Sequence, residues 1–160
     1  MSAIDQATYR QVLGHFPTGV TVVTGMDGDE PVGLAVGSFF SFSLDPMLVG
    51  FCADRSSSSW ARMAGSGHFC VNVLGAHQED VCRVFATKGD DKFRGIGWKP
   101  AESGSPLLDG VLAWIDCDVD QVLDGGDHHI VIGRVRGLGV GADEAQGPLV
   151  FYRGGYANLA

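Results

Sequence analysis

The start of the chain has the apolar spacing of a helix. Tyr9, Val12, Leu13 and Phe16 recur at positions that share one helix face, and Pro17 follows as a helix breaker. The pattern predicts one amphipathic helix that ends at Pro17.

Most of the remaining chain is typical of short strands, with two short helices among them. The predicted helices are Ser56–Ala64 and Glu79–Thr87. The segments that alternate in polarity, or that are rich in Val, Thr and aromatic residues, are predicted strands: Val20–Thr24, Pro31–Phe42, Met47–Cys52, His68–Leu74, Val111–Asp124, Ile130–Val140 and Leu149–Tyr152. Closely spaced strands with few helices predict a mainly β fold, an antiparallel barrel.

Two segments between these elements are turns or loops. Gly125-Gly126-Asp127 joins two long strands and predicts a hairpin. Residues 88–110 contain five glycines and two prolines with little periodicity. Loops of that length in compact domains are usually functional or disordered, so we expect a long excursion there.

Composition and charge limit the classes of protein to which this chain can belong. The 160 residues are 45% hydrophobic and fit one domain, residues 1–160. A formal net charge of −8 without a basic run argues against nucleic-acid binding. No apolar run reaches the roughly 18 residues of a membrane span. The start Met1–Asp5 has no signal-peptide pattern, so we expect a cytoplasmic protein.

The four cysteines do not have the spacing of a zinc site, and we expect no metal. Cys70, Cys82 and Cys117 are predicted to be small buried hydrophobes in a reducing compartment. Cys52 is left open because of its polar neighbours. The adjacent His128 and His129 point to opposite faces of a strand, which also argues against a metal site.

Two segments suggest a ligand. Gly33, Ala35 and Gly37 leave one strand face almost without side chains, which suits either a flat aromatic ligand or tight strand packing. Arg55 and the serines Ser56–Ser59 offer either an anion site or a plain serine cap with a solvated arginine. The glycine pattern Gly137–Ala142 has no following helix and is not a dinucleotide fingerprint.

A series of short segments occurs in a characteristic order along nearly the whole chain, from about Tyr9 to Tyr156. They are Gly19–Thr24, Pro31-Val32-Gly33, Ser38-Phe39, Ser43–Pro46, Asp54–Ser58, Asn72-Val73-Leu74, Asp91-Lys92-Phe93, Leu107–Gly110, Gly126-Asp127-His128 and Tyr152-Arg153-Gly154. The series resembles the flavin reductase-like family, the small reductase components of two-component flavin monooxygenases. The resemblance implies a split β-barrel of the FMN-binding type, normally a homodimer, that binds FMN or FAD.

The resemblance also implies which residues contact each ligand. The flavin ring and ribityl chain are expected along Gly33, Leu34, Ala35, Gly37 and Ser38. The phosphate and the dimethylbenzene side are expected at a second group: Cys52, Ala53, Asp54, Arg55, Ser57, Ser58 and Ser59, with Phe85 and Lys92 nearby. His128 is expected to contact the nicotinamide nucleotide, with Tyr152 and Arg153 completing that side.

Two departures from the family leave the flavin preference open. Many members have Thr and Asn where this chain has Ala35 and Gly37, so two side-chain hydrogen bonds to the flavin are absent. The implied reaction is hydride transfer from NADH or NADPH to the flavin, with no catalytic acid or base, because the cofactors supply the chemistry. Reduced flavin would then diffuse to a partner monooxygenase. The alternatives are a split-barrel flavoprotein that retains its flavin as an oxidase, and a flavin carrier.

Overall fold

The computed structural model describes residues 3–142 and 145–159. Two sequence-based expectations fall partly outside these ranges. Met1 and Ser2, part of the start segment Met1–Asp5, and Asp143 and Glu144, which follow the glycine pattern Gly137–Ala142, lie outside the described residues.

Three α-helices and twelve strands make up the described chain. The helices are α1 (Gln6–Leu13), α2 (Ser58–Ala64) and α3 (Glu79–Ala86), and a short 3-10 turn, Ala76–Gln78, precedes α3. The strands are β1 (Thr18–Gly19), β2 (Thr21–Asp27), β3 (Glu30–Val36), β4 (Phe40–Leu44), β5 (Met47–Asp54), β6 (His68–Val73), β7 (Trp98–Pro100), β8 (Pro106–Leu108), β9 (Ala113–Gly125), β10 (His128–Val140), β11 (Leu149–Tyr152) and β12 (Gly155–Asn158).

Seven strands form one antiparallel sheet in the order β3-β2-β6-β9-β10-β5-β4. The sheet curls until β3, at one edge, contacts β5 near the other edge. Just past the end of β3, the Ser38 hydroxyl accepts a hydrogen bond from the Cys52 amide at 2.8 Å and donates one to the Cys52 carbonyl at 3.2 Å. The predicted mainly β fold, an antiparallel split barrel, is therefore confirmed.

Successive residues of one strand pack into different cores. Val23 lies inside the barrel with Phe51, Phe69 and Val131, and the neighbouring Val22 packs on the other side against Leu74, Phe85 and Leu108. This follows from the alternation of side chains along a strand. The second core joins α3 and the 88–110 segment to the outside of the sheet, and that is where the cavity described below forms.

The predicted helices are confirmed, with shifted ends. The first helix stops at Leu13, so Phe16 lies beyond it, and α2 begins at Ser58 rather than Ser56. The predicted strand Pro31–Phe42 is interrupted, because β3 ends at Val36 and β4 begins at Phe40. The sequence did not predict the two short strands β1 and β12, which pair with β11 in a separate sheet.

The 88–110 segment is more ordered than expected. It contains the antiparallel pair β7 and β8. The buried Asn72 holds this hairpin on the sheet, since its carbonyl accepts a hydrogen bond from the Leu108 amide at 2.9 Å. The buried carboxylate of Asp116 accepts hydrogen bonds from the Ser103 amide and hydroxyl at 2.9 and 2.6 Å. These polar anchors fix a segment that has no periodicity of its own.

The apolar face of α1 points away from the core. Tyr9, Val12, Leu13 and Phe16 are 50–74% exposed, and α1 has no buried residue. No helix in the described part of the chain is long and apolar enough to cross a membrane.

Candidate functional site

A cavity of about 560 Å³ opens between the end of β3, the end of β5, the start of α2 and the end of α3. Most of the residues expected to hold a flavin line it: Leu34, Ala35, Gly37, Ser38, Cys52, Asp54, Ser57, Ser58, Ser59, Phe85 and Lys92. Gly33, Ala53 and Arg55 do not. The fold thus brings together two sequence segments, one on β3 and one after β5, that the chain separates by about fifteen residues.

Five further residues of the lining were not among the expected contacts: Val36, Ser56, Ala86, Thr87 and Lys88. Three of them follow Phe85 directly at the end of α3. The signal available in the sequence was the cation Lys88 beside Gly89, at the point where the helical pattern ends.

The small residues of β3 serve two different purposes. The ring of Phe85 occupies the space beside Gly33, where an added Cβ would lie 2.7 Å from a ring carbon. Tight packing therefore explains Gly33. Ala35 and Gly37, by contrast, line the cavity and leave its wall flat. Of the two explanations left open by the sequence, tight packing accounts for Gly33, and a flat ligand beside Ala35 and Gly37 stays a prediction.

The serines after β5 are held by local hydrogen bonds. The Ser57 hydroxyl accepts a bond from the Trp60 amide at 3.2 Å and is the cap of α2. Ser56 donates to the Asp54 carboxylate from its amide at 2.7 Å and from its hydroxyl at 2.6 Å. These bonds lower the pKa of Asp54. Ser58 is exposed to the cavity.

Arg55 points away from the cavity. Its guanidinium donates to the Gly126 carbonyl at 2.8 Å and to the Asp124 carboxylate at 2.5 Å, in the turn between β9 and β10. The same contact lowers the pKa of Asp124. The expectation that Arg55 holds an anion in this cavity has no support in the geometry, because an adjacent carboxylate already neutralises its charge.

Lys92 supplies a cation at the cavity wall. Its ammonium donates to the Gly33 carbonyl, the Ser59 hydroxyl and the Phe85 carbonyl at 3.2–3.3 Å, and the residue is 9% exposed. All three acceptors are neutral. Burial lowers the pKa of Lys92, and the charge of Asp90 opposes that shift.

His128 lies at the mouth of the same cavity. It begins β10 opposite Asp54 of β5, and its Nδ1 is 2.7 Å from the Asp127 carboxylate. Tyr152 and Arg153, which were expected on the same side as His128, lie elsewhere in this chain. The ring of Tyr152 packs edge-on against His15, and the Arg153 amide donates to the Gly14 carbonyl at 2.9 Å.

Arg153 borders a second, apolar groove of about 980 Å³. Tyr9, Leu13 and Phe16 form one wall of this groove, and Phe39, Phe40 and Phe151 form the other. Ser38 and Gly37 line both the groove and the first cavity. The two sites therefore meet at the segment between β3 and β4.

Comparison with known proteins places this geometry in a recognised group. Residues 13–160 match the model of the flavin reductase like domain. A flavin reductase of Pseudomonas putida is 52% identical over 160 residues, covering 99% of this chain and 93% of the relative. The reductase subunit of a flavin-dependent monooxygenase from Mycobacterium tuberculosis is 51% identical and covers 99% and 86%. A Streptomyces globisporus NADH:FAD oxidoreductase, solved with NAD and FAD fragments, superposes with a TM-score of 0.91 at 36% identity, covering 100% and 98% of the two chains.

Proposed function

The chain belongs to the flavin reductase-like family, and from that premise we propose that its 560 Å³ cavity is the flavin site of an NAD(P)H-dependent flavin oxidoreductase. One observation carries this assignment: the cavity has a flat wall of small residues on one side and hydroxyls and cations on the other. A bound flavin supplies the hydride acceptor, so the protein needs no acid–base pair of its own.

The flat wall suits the ring system. Ala35 and Gly37 expose backbone and at most a methyl group, so an aromatic ring can approach the strand closely. Ser38 fixes this wall to β5 through the Cys52 backbone. The residues that orient the ring are thus held by the closure of the barrel itself, which keeps the geometry needed for hydride transfer.

The polar side suits the phosphate. Ser58 offers a hydroxyl, and Lys88 and Lys92 place positive charge at the cavity wall. Lys92 donates all three of its N–H groups to neutral acceptors, so no carboxylate neutralises its charge, which attracts an anion electrostatically while Lys88 can donate to it. We assign to these two lysines the role that the sequence suggested for Arg55.

The nicotinamide nucleotide approaches from the His128 side. His128 lies at the cavity mouth, where its ring can pack against a second ligand stacked on the first. Neither Tyr152 nor Arg153 lines this cavity, because Arg153 lines the apolar groove and Tyr152 packs against His15. A second copy of the chain seated in the groove brings these residues to the neighbouring site.

We therefore propose a homodimer formed through the groove. The apolar area that such a contact requires comes from the exposed Tyr9, Leu13 and Phe16 and from the half-buried Phe39 and Phe40, all of which line the groove. Because groove and cavity share Gly37 and Ser38, dimerisation and flavin binding are coupled.

Reduced flavin then leaves for a partner monooxygenase. A site that binds the flavin through few charged groups is consistent with such release.

The test is steady-state NADH oxidation with added FMN, FAD or riboflavin. The wild type turns over with free flavin in excess of enzyme. Lys88→Met and Ser58→Ala each raise the KM for FMN about tenfold while the KM for riboflavin changes less than about twofold, because riboflavin has no phosphate.

Lys99→Met is the matched control, since it removes the same charge from an exposed strand outside the cavity. Equal changes for FMN and riboflavin would refute the phosphate assignment. A wild type that keeps its flavin and does not oxidise NADH would refute the function.

A further inference from the structure

Arg62 lies outside the flavin cavity but joins the parts of its wall. It belongs to α2, and its side chain is 24% exposed. Its guanidinium forms ion pairs with Asp27 at 2.9 Å, with Glu30 at 2.7 Å and with Asp90 at 3.6 Å. One cation thus contacts three carboxylates from two other segments of the chain.

Each segment carries part of the cavity lining. The helix of Arg62 contributes Ser58 and Ser59. Glu30 begins β3, which carries the flat wall of Ala35. Asp90 lies in the loop between Lys88 and Lys92, both of which line the cavity. A displacement of α2 or of the Asp90 loop would change the distance between Lys88 and Ser58.

Few contacts hold the loop of Asp90 besides those at its two ends, and at the near end the Thr87 amide and hydroxyl donate to the Val84 carbonyl at 3.2 and 2.6 Å. Residues 86–91 are exposed, and Gly89 has a φ of +144°, a conformation that costs a glycine little. Lys92 anchors the far end of the loop through its three hydrogen bonds. The Asp90 carboxylate, by contrast, is 85% exposed and meets the guanidinium of Arg62.

We propose that Arg62 is a positioning residue for phosphate recognition: through Asp90 it sets the position of Lys88 opposite Ser58, and so favours FMN over phosphate-free flavin. This role rests on the proposed flavin site. For the substitution Asp90→Asn, this role predicts a change in FMN affinity opposite in sign to the change that simple electrostatics predicts. Removing the negative charge of Asp90 beside an anion site would tighten FMN binding by Coulomb attraction alone, whereas releasing the loop weakens it.

The decisive experiment measures the KM for FMN and for riboflavin in Asp90→Asn and in Arg62→Met. The exposed Asp90 can be changed without disturbing the core. We expect both variants to raise the KM for FMN about fivefold or more, with riboflavin changed less than about twofold. Arg62→Lys, which keeps the charge, restores part of the preference.

Arg83→Met is the control for lost charge and a lost ion pair, since Arg83 pairs with Glu79 on α3 and contacts neither Asp90 nor the cavity. It should leave the FMN-to-riboflavin ratio unchanged. Tighter FMN binding by Asp90→Asn, or an unchanged ratio in both variants of an active wild type, would overturn the role of Arg62.

The comparison is repeated at pH 6.5 relative to the wild type. If the KM of Asp90→Asn for FMN returned to the wild-type value at that pH, the loss of FMN preference would be due to deprotonation of Lys92. That result would also overturn the proposal. A wild type that uses neither flavin would instead refute the flavin site, so the two failures are distinguishable.

Discussion

At the scale of single residues, several of the polar groups around the cavity are already bonded to the protein. Ser57 caps α2, Ser56 bonds Asp54, and Lys92 donates to three acceptors. Such bonds fix the side chains before any ligand arrives, which lowers the entropic cost of binding. The site therefore depends on preorganised neutral contacts more than on a strong ion pair.

His128 provides a test of which ligand lies at the mouth. His128→Ala should raise the KM for NADH about tenfold and leave the KM for FMN within about twofold, because the expected flavin contacts lie on β3, after β5 and on α3. Steady-state kinetics with each substrate varied in turn measures both values. His129→Ala is the control, since neighbouring residues of a strand face opposite sides. Loss of flavin with normal NADH dependence would show that His128 contacts the flavin.

Cys52 is expected to be the thiol that reacts in the native protein. It lines the cavity, whereas burial raises the pKa of Cys70 to about 12 and also raises the pKa of Cys82 and Cys117, which keeps these three thiols protonated. Iodoacetamide at pH 8, followed by peptide mass spectrometry, should label Cys52 first, and FMN should slow that labelling. Labelling of Cys82 at an equal rate, or no protection by FMN, would contradict this prediction.

At the scale of elements, the contact between β3 and α3 determines the shape of the cavity. The Phe85 ring fills the space beside Gly33 and also lines the cavity, so these two residues couple strand packing to the ligand wall. A side chain at position 33 must displace the ring, since real Cβ atoms do not approach a ring carbon to 2.7 Å.

Gly33→Ala should therefore lower the free energy of unfolding by about 1–3 kcal/mol and weaken flavin binding. Chemical denaturation and fluorescence titration with FMN measure the two effects. Gly65→Ala serves as the control, because Gly65 ends α2 with helical φ and ψ and has open space around an added Cβ. If the two variants were equally stable, the packing explanation for Gly33 would be wrong.

The sequence predicts local elements better than the contacts between them. Apolar spacing was enough to locate α3 and the long β9–β10 hairpin, because each has a period that burial imposes. The β7–β8 hairpin was missed, since it depends on Asn72 and Asp116, which are distant in sequence. The pairing of Arg55 with Asp124 was not predicted for the same reason, because Asp124 follows nearly seventy positions later. Long-range polar pairing has no local signature.

At the scale of the whole molecule, the exposed face of α1 should be the contact between two copies. Phe16→Asp should convert a dimer into a species of 16.9 kDa in sedimentation and greatly reduce NADH oxidation, because the partner would no longer bring its Tyr152 and Arg153 to the site. Val140→Asp is the control, an equally exposed apolar residue outside the groove.

A wild type that sedimented as a monomer at micromolar concentration with full activity would refute the dimer. A dimer that persisted in Phe16→Asp would place the contact on another face.

The packing of a glycine against an aromatic ring also limits which amino-acid substitutions this barrel can accept during evolution. Gly33 with Phe85, and likewise Gly133 with Phe69, share one volume between two positions far apart in the gene. A mutation at either codon alone either overfills or empties that volume. A laboratory library that randomises position 33 alone should therefore return mostly glycine, while one that also allows smaller residues at position 85 should return linked pairs. Substitutions at these positions are therefore expected to occur in pairs.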